Sequence, residues 1–117
     1  MHSHSLLIGS ILFIIAHVIV FYQLNGQFLW KWFRDNELLM GLIGVPVALL
    51  MLWGTKYIVK GFDGLLWPAR FVGFGLGMVI YAVGVSYYFN EGLSSKTLIS
   101  LILSVVLICI QILWKNQ

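Results

Sequence analysis

Charge is what this chain has least of. Seven Lys or Arg and four Asp or Glu make up 9% of its 117 residues, while 61% are hydrophobic; a soluble domain is usually nearer ~25% charged. That composition excludes an ordinary soluble domain and makes lipid the expected solvent. The net charge of +3 is spread over short segments with no basic run, so nucleic acid is not an expected partner. The single cysteine, Cys109, sits in an apolar run, which leaves one chain unable to build a disulfide framework or a cysteine metal site. No Pro/Gly/Ser-rich linker, low-complexity tract or charge block divides residues 1–117, so one domain is expected. There is no nucleophile–base motif, no HExxH and no Walker loop, and the glycines of Gly73-Phe74-Gly75-Leu76-Gly77 fall inside an apolar run, the wrong setting for a phosphate loop. Neither an enzyme nor a cofactor is expected. His2, His4 and His17 lack a metal-ligand spacing, because the first two lie more than three helical turns from the third.

What the chain does have is four apolar runs, over about residues 6–23, 38–55, 70–89 and 97–114. Each approaches the roughly 20 residues a helix needs to cross a bilayer core. The expected fold class is therefore all-α, an integral membrane protein with a bundle of four transmembrane helices. The first run lacks the basic n-region and small-x-small site of a signal peptide, so its retention is expected. Residues 24–37 mix Trp30, Trp32 and Phe33 with Lys31, Arg34 and Asp35, the chemistry of a headgroup layer. Pro46 should kink the second span, and Asp63-Gly64 marks a turn within a polar, interfacial segment over 56–68. Pro68 stands just before the third span, and Ser94 or Ser95 is the expected N-cap of the fourth. Four spans put both termini on one side. Lys56, Lys60, Arg70 and Lys115 lie on that face against Lys31, Arg34 and Lys96 on the other, which favours cytoplasmic termini in a bacterial inner or equivalent membrane.

In the third span Gly73, Gly77 and Gly84 recur at steps of four and seven and so share a face. Small residues let membrane helices approach closely, and this face makes the third helix the expected centre of packing, with the Ser100/Ser104 pair doing the same in the fourth. His17 is the plainly titratable side chain deep in a span, and a polar group at that depth faces a bundle interior or a watery cavity. Its two readings are a proton- or substrate-binding group and a neutral imidazole hydrogen-bonded to a neighbouring helix. Gln111 and Tyr81 are the further polar candidates, each able to meet a ligand or to bond a neighbouring helix. Arg70 either anchors the third span or greets an anionic headgroup or substrate.

Organisation and local motifs resemble the small multidrug resistance transporters of the drug/metabolite transporter superfamily. Ala16-His17-Val18-Ile19 is similar to that family's Ala-Glu-Val-Ile segment, with histidine where the family's proton- and substrate-binding glutamate stands. Gly73-Phe74-Gly75 is similar to its glycine-x-glycine kink, and Asn90-Glu91-Gly92-Leu93 to the superfamily's acidic turn before the last span. The resemblance implies a homo-oligomeric small-molecule transporter. The alternative from the residues alone is a non-transporting accessory or assembly subunit that uses the same grooves to hold another membrane protein.

Overall fold

In the computed structural model, which describes residues 3–89 and 94–114, helix dominates. Helix α1 spans Ser3–Asn25, and a 3-10 turn at Gly26–Phe28 leads to a short α2, Lys31–Asp35. Then come α3 (Glu37–Leu42), α4 (Gly44–Gly61), α5 (Leu66–Tyr88) and α6 (Ser95–Leu113). Taking α3 and α4 together, four segments are long and apolar enough to cross a membrane: Ser3–Phe28, Glu37–Gly61, Leu66–Tyr88 and Ser95–Leu113.

The boundaries that differ from expectation do so for local reasons. The second span does not end at Thr55; α4 runs on to Gly61. Lys56 and Lys60 are exposed on this last stretch while Ile58 and Gly61 are buried, so the charged side chains point outward and the apolar ones keep the helix docked. The third span likewise begins earlier, at Leu66, and Pro68 is the third residue of α5 rather than its predecessor. A proline is tolerated there because the N–H it lacks would have no partner in a first turn. The effect of Pro46 appears as the interruption between α3 and α4 at Ile43, one turn before the proline, where its ring would press on the carbonyl of residue 42. Gln23 of α1 donates to the carbonyl of Met40 beside this break at 2.8 Å, the kind of neighbouring support a broken membrane helix requires. Ser94 caps α6, its hydroxyl accepting from the Thr97 N–H at 3.2 Å.

Helix α4 closes with two reciprocal bonds: Gly64 N–H donates to Val59 C=O at 2.8 Å and Asp63 N–H to Lys60 C=O at 3.2 Å. This is a Schellman motif, and its left-handed positions are Asp63 (φ 58°) and Gly64 (φ 91°). A Cβ on Gly64 would meet nothing within 4 Å, so any penalty there is purely conformational. Gly64→Ala is expected to cost about 1–2 kcal/mol. Gly41→Ala, equally uncrowded but helical, should gain about 1 kcal/mol. Unfolding of the two variants side by side in detergent checks the difference in sign.

Packing is centred on α1, not on the third span as the glycine pattern suggested. In the most apolar stretch of each span, 28% of residues are buried inside the protein for the first, 17% for the second and third, and 6% for the fourth. Helix α1 lies between α4 and α5, α4 also touches α5, and among the described residues α6 packs on α5 alone to any extent. The molecule is correspondingly flat, 48 × 35 × 18 Å, a layer one to two helices deep rather than a closed ring of four. The core is Phe13, Ile58, Phe62, Ala69 and Val72, which joins α1, α4 and α5 near the 62–64 turn. Helices α1 and α4 pack backbone against backbone at Gly9 and Gly54. A Cβ on Gly9 would fall 2.9 Å from the Gly54 carbonyl oxygen, and one on Gly54 would fall 2.8 Å from the Phe13 ring.

Candidate functional site

Phe13, His17 and Phe21 recur every four residues and so form one row along α1. The glycines of α5 receive this row one for one. A Cβ built on Gly73 would lie 3.2 Å from the Phe13 ring, one on Gly77 2.8 Å from the imidazole of His17, and one on Gly84 2.6 Å from the Phe21 ring. The expected glycine face is therefore real, and what fills it is a set of aromatic side chains from α1. Phe13 is held on both sides, between Gly54 of α4 and Gly73 of α5.

His17 sits in the middle of this row. Side chains on a helix tilt toward its N-terminus, so the residue four places on covers the carbonyl below it. With glycine at 77 the carbonyl of Gly73 is uncovered, and it accepts a hydrogen bond from the imidazole. The other face of the ring is different: Nε2 is buried and has no partner among the described residues. Buried polar atoms are nearly always paired, so an unpaired one in a span is the strongest chemical signal in this chain.

Beside the imidazole lies a cavity of about 320 Å³. Phe13 and His17 line it from α1, Met51 and Thr55 from α4, and Arg70 and Phe74 from α5. A second cavity, about 350 Å³, lies between the far ends of α1 and α5, walled by Phe21, Tyr22, Val83, Tyr87 and Tyr88. The hydroxyls of Tyr22 and Tyr88 are hydrogen-bonded at 2.6 Å, and Trp30 stacks on Tyr22 with ring centroids 6.3 Å apart and meets Tyr88 edge-on at 5.8 Å. Trp30 of the 24–37 segment thus folds over the end of α1, while Phe28 and Trp32 stay exposed.

The three polar candidates do not converge. Tyr81 is 48% exposed and touches Phe21 edge-on at 5.8 Å; it lines neither the His17 cavity nor the second one. Gln111 is on α6, away from α1, and its Oε1 is buried without a partner. The cross-helix bond expected of it is therefore not made by that atom among the described residues. Ser100 and Ser104 turn their hydroxyls to their own helix, donating to the carbonyls of Lys96 and Ser100 at 3.0 Å each. Ser104 is buried where its backbone meets Gly75, whereas Ser100 is exposed. The acidic turn 90–93 lies outside the described residues, as do His2 and Lys115. Thr55 and Phe13 belong to the site and were not singled out by sequence. The available signal was the four-residue step shared by 13, 17 and 21 with 73 and 77.

No protein family, no curated protein and no solved structure matches this chain.

Proposed function

We propose that this chain is one subunit of a homo-oligomeric small-molecule transporter of the drug/metabolite transporter type, with His17 as the group that takes up substrate or proton. The buried, unpartnered Nε2 beside a cavity carries this reading. Transporter sites lie near the bilayer midplane, where helix packing is interrupted and polar groups face a cavity. The flat outline supports the oligomer: a layer 18 Å deep cannot wall off a pathway from lipid by itself, and a second copy against its open face would. The test is cross-linking of the purified chain in lipid together with substrate-dependent proton flux in proteoliposomes. A self-associated chain with flux supports the proposal, and a monomer without flux ends it.

The accessory-subunit reading rests on a different observation. Among the described residues helix α6 packs chiefly on α5 and exposes Ile99, Ile102, Leu103 and Leu113, an apolar face that another membrane protein would cover as well as lipid does. A heterologous membrane protein retained in constant stoichiometry through mild-detergent purification, with no self-association, favours it.

Both termini belong on one side under either reading, and the gathering of Lys56, Lys60 and Arg70 around the α4–α5 turn argues that this side is cytoplasmic. In a Cys109→Ser background, Ser3→Cys and Asn116→Cys are expected to label from the same face of sealed vesicles. Labelling from opposite faces contradicts the arrangement.

A further inference from the structure

Resting on the transport reading, the chemistry of the His17 cavity narrows the class of molecule it accepts. Its polar side chains are the imidazole of His17, the hydroxyl of Thr55 and the guanidinium of Arg70, and the rest of the wall is apolar, chiefly Phe13, Met51 and Phe74. Thr55 and Arg70 can donate hydrogen bonds and Arg70 carries a permanent positive charge, while His17, whose one neutral-state N–H is taken by the Gly73 carbonyl, donates from Nε2 only as an imidazolium. No carboxylate lines the cavity among the described residues. The nearest acidic residue in sequence is Asp63, in the turn before α5. A cation entering here would meet a fixed positive charge and no counter-charge among the described lining residues, whereas an anion would meet a fork of donors at Arg70 and a further polar group at His17.

Position strengthens the same sign. Arg70 is exposed, one turn into α5, while His17 and Gly73 lie deeper. The first turn of α5 has no side-chain cap on its N-terminus, and uncapped N–H groups contribute partial positive charge at that end. The cavity is thus graded, with positive charge at its headgroup-side mouth and aromatic and thioether surface farther in. About 320 Å³ is at the small end of ligand sites, which suits one ring or a short chain.

We propose that this cavity binds a small organic anion with an apolar body, its charged head held by Arg70 with His17 within reach and its body against Phe13, Met51 and Phe74. The anion arrives either from the aqueous phase or as the head of an anionic lipid, and the chemistry of recognition is shared.

The test uses the full chain in phosphatidylcholine nanodiscs, with empty nanodiscs as blank, and three radiolabelled probes of one shape: benzoate, benzylamine and benzyl alcohol. Saturable benzoate binding is expected, with benzyl alcohol at least about tenfold weaker and benzylamine not bound. Arg70→Gln should weaken benzoate by about tenfold or more, and Arg70→Lys by less, since it keeps the charge and loses only the fork. Benzylamine binding as tightly as benzoate overturns the proposal. So does wild-type benzoate affinity in an Arg70→Gln protein with wild-type melting and elution. If Arg70→Gln does not fold, the benzoate-to-benzylamine ratio of the wild type decides alone. Repeating the titration in phosphatidylglycerol nanodiscs identifies the source: loss of benzoate binding assigns the site to a lipid head, and retention assigns it to a soluble anion. Benzoate binding without flux removes the transport reading and leaves the anion site. Flux of an anion that Arg70→Gln does not alter does the opposite.

Discussion

Replacing His17 by leucine is expected to abolish substrate-dependent proton flux while leaving the protein folded and inserted. The stability side follows from the bonds present. Nε2 has no partner to lose, and leucine is close enough in size to fill the hollow over Gly77. The net cost should be that of one hydrogen bond to the Gly73 carbonyl, about 1 kcal/mol. The functional side follows from linkage: a ligand or proton moves a conformational equilibrium only through groups it treats differently in the two states, and leucine has no such group. His17→Gln separates charge change from polarity, because the amide can still donate to Gly73 but cannot titrate. Flux measured from about pH 5.5 to 8, the range in which an imidazole ordinarily changes charge, should vanish in both variants. A well-folded His17→Leu with wild-type flux would falsify the role. Loss of oligomer or yield in both variants, with no separate defect in flux, assigns His17 to packing instead.

The largest effect on stability is expected at Gly9. A Cβ there would lie 2.6 Å from Ile58 Cγ1, 2.8 Å from the Ile58 backbone nitrogen and 2.9 Å from the Gly54 carbonyl oxygen. The first contact is relieved by a side-chain rotation, but the other two are with backbone, so α4 itself must move away from α1. Gly9→Ala should already cost about 1–3 kcal/mol, and Gly9→Leu more. At Gly77 and Gly84 the crowding atoms are the rings of His17 and Phe21, which have some freedom to turn, so Gly77→Leu and Gly84→Leu should be milder though still damaging. Gly41→Leu, with nothing within 4 Å, serves as the reference. Unfolding of the set in mixed micelles should rank Gly9 first and Gly41 last, and equal stability of those two variants would contradict the α1–α4 contact.

Much of this architecture was legible in the residues, and what escaped did so for physical reasons. Four helices long and apolar enough to cross a membrane follow from apolar length, the α6 cap from Ser94 and the turn after α4 from Asp63-Gly64, since each depends on local chemistry alone. Which span is central does not follow. In lipid the outward face of a helix is as apolar as the inward one, so Phe13 and Ile14 look equally fit for burial, yet Phe13 is 3% exposed and Ile14 39%. Lys56 and Lys60 read as loop residues because a charge in a span is costly, but near a helix end their long stems carry the charge outward. His17 stood out by its rarity. Its partner, the Gly73 carbonyl, carries no mark in the sequence beyond the absent side chain at Gly77. Tyr81 lies off the row of Gly73 and Gly77 because four residues advance a helix by about 400°, so each such step drifts about 40° around the axis. A seven-residue step drifts back by about 20°, and Gly84 therefore keeps the face that Tyr81 leaves.

That unequal spacing works like the bitting of a key. The pegs of α1, at 13, 17 and 21, are evenly cut, while the sockets of α5, at 73, 77 and 84, are not. If α5 slid by one turn, about 5.4 Å, one direction would bring Tyr81 against His17 and Tyr88 toward Phe21, and the other would set Ala69 before Phe13 and Ile80 before Phe21. Only the observed register offers every peg a hole. A piston stroke between these two helices is therefore barred by shape, and any change of state at His17 has to come from tilting or parting them, with the imidazole lifting out of its glycine seat as the seam opens.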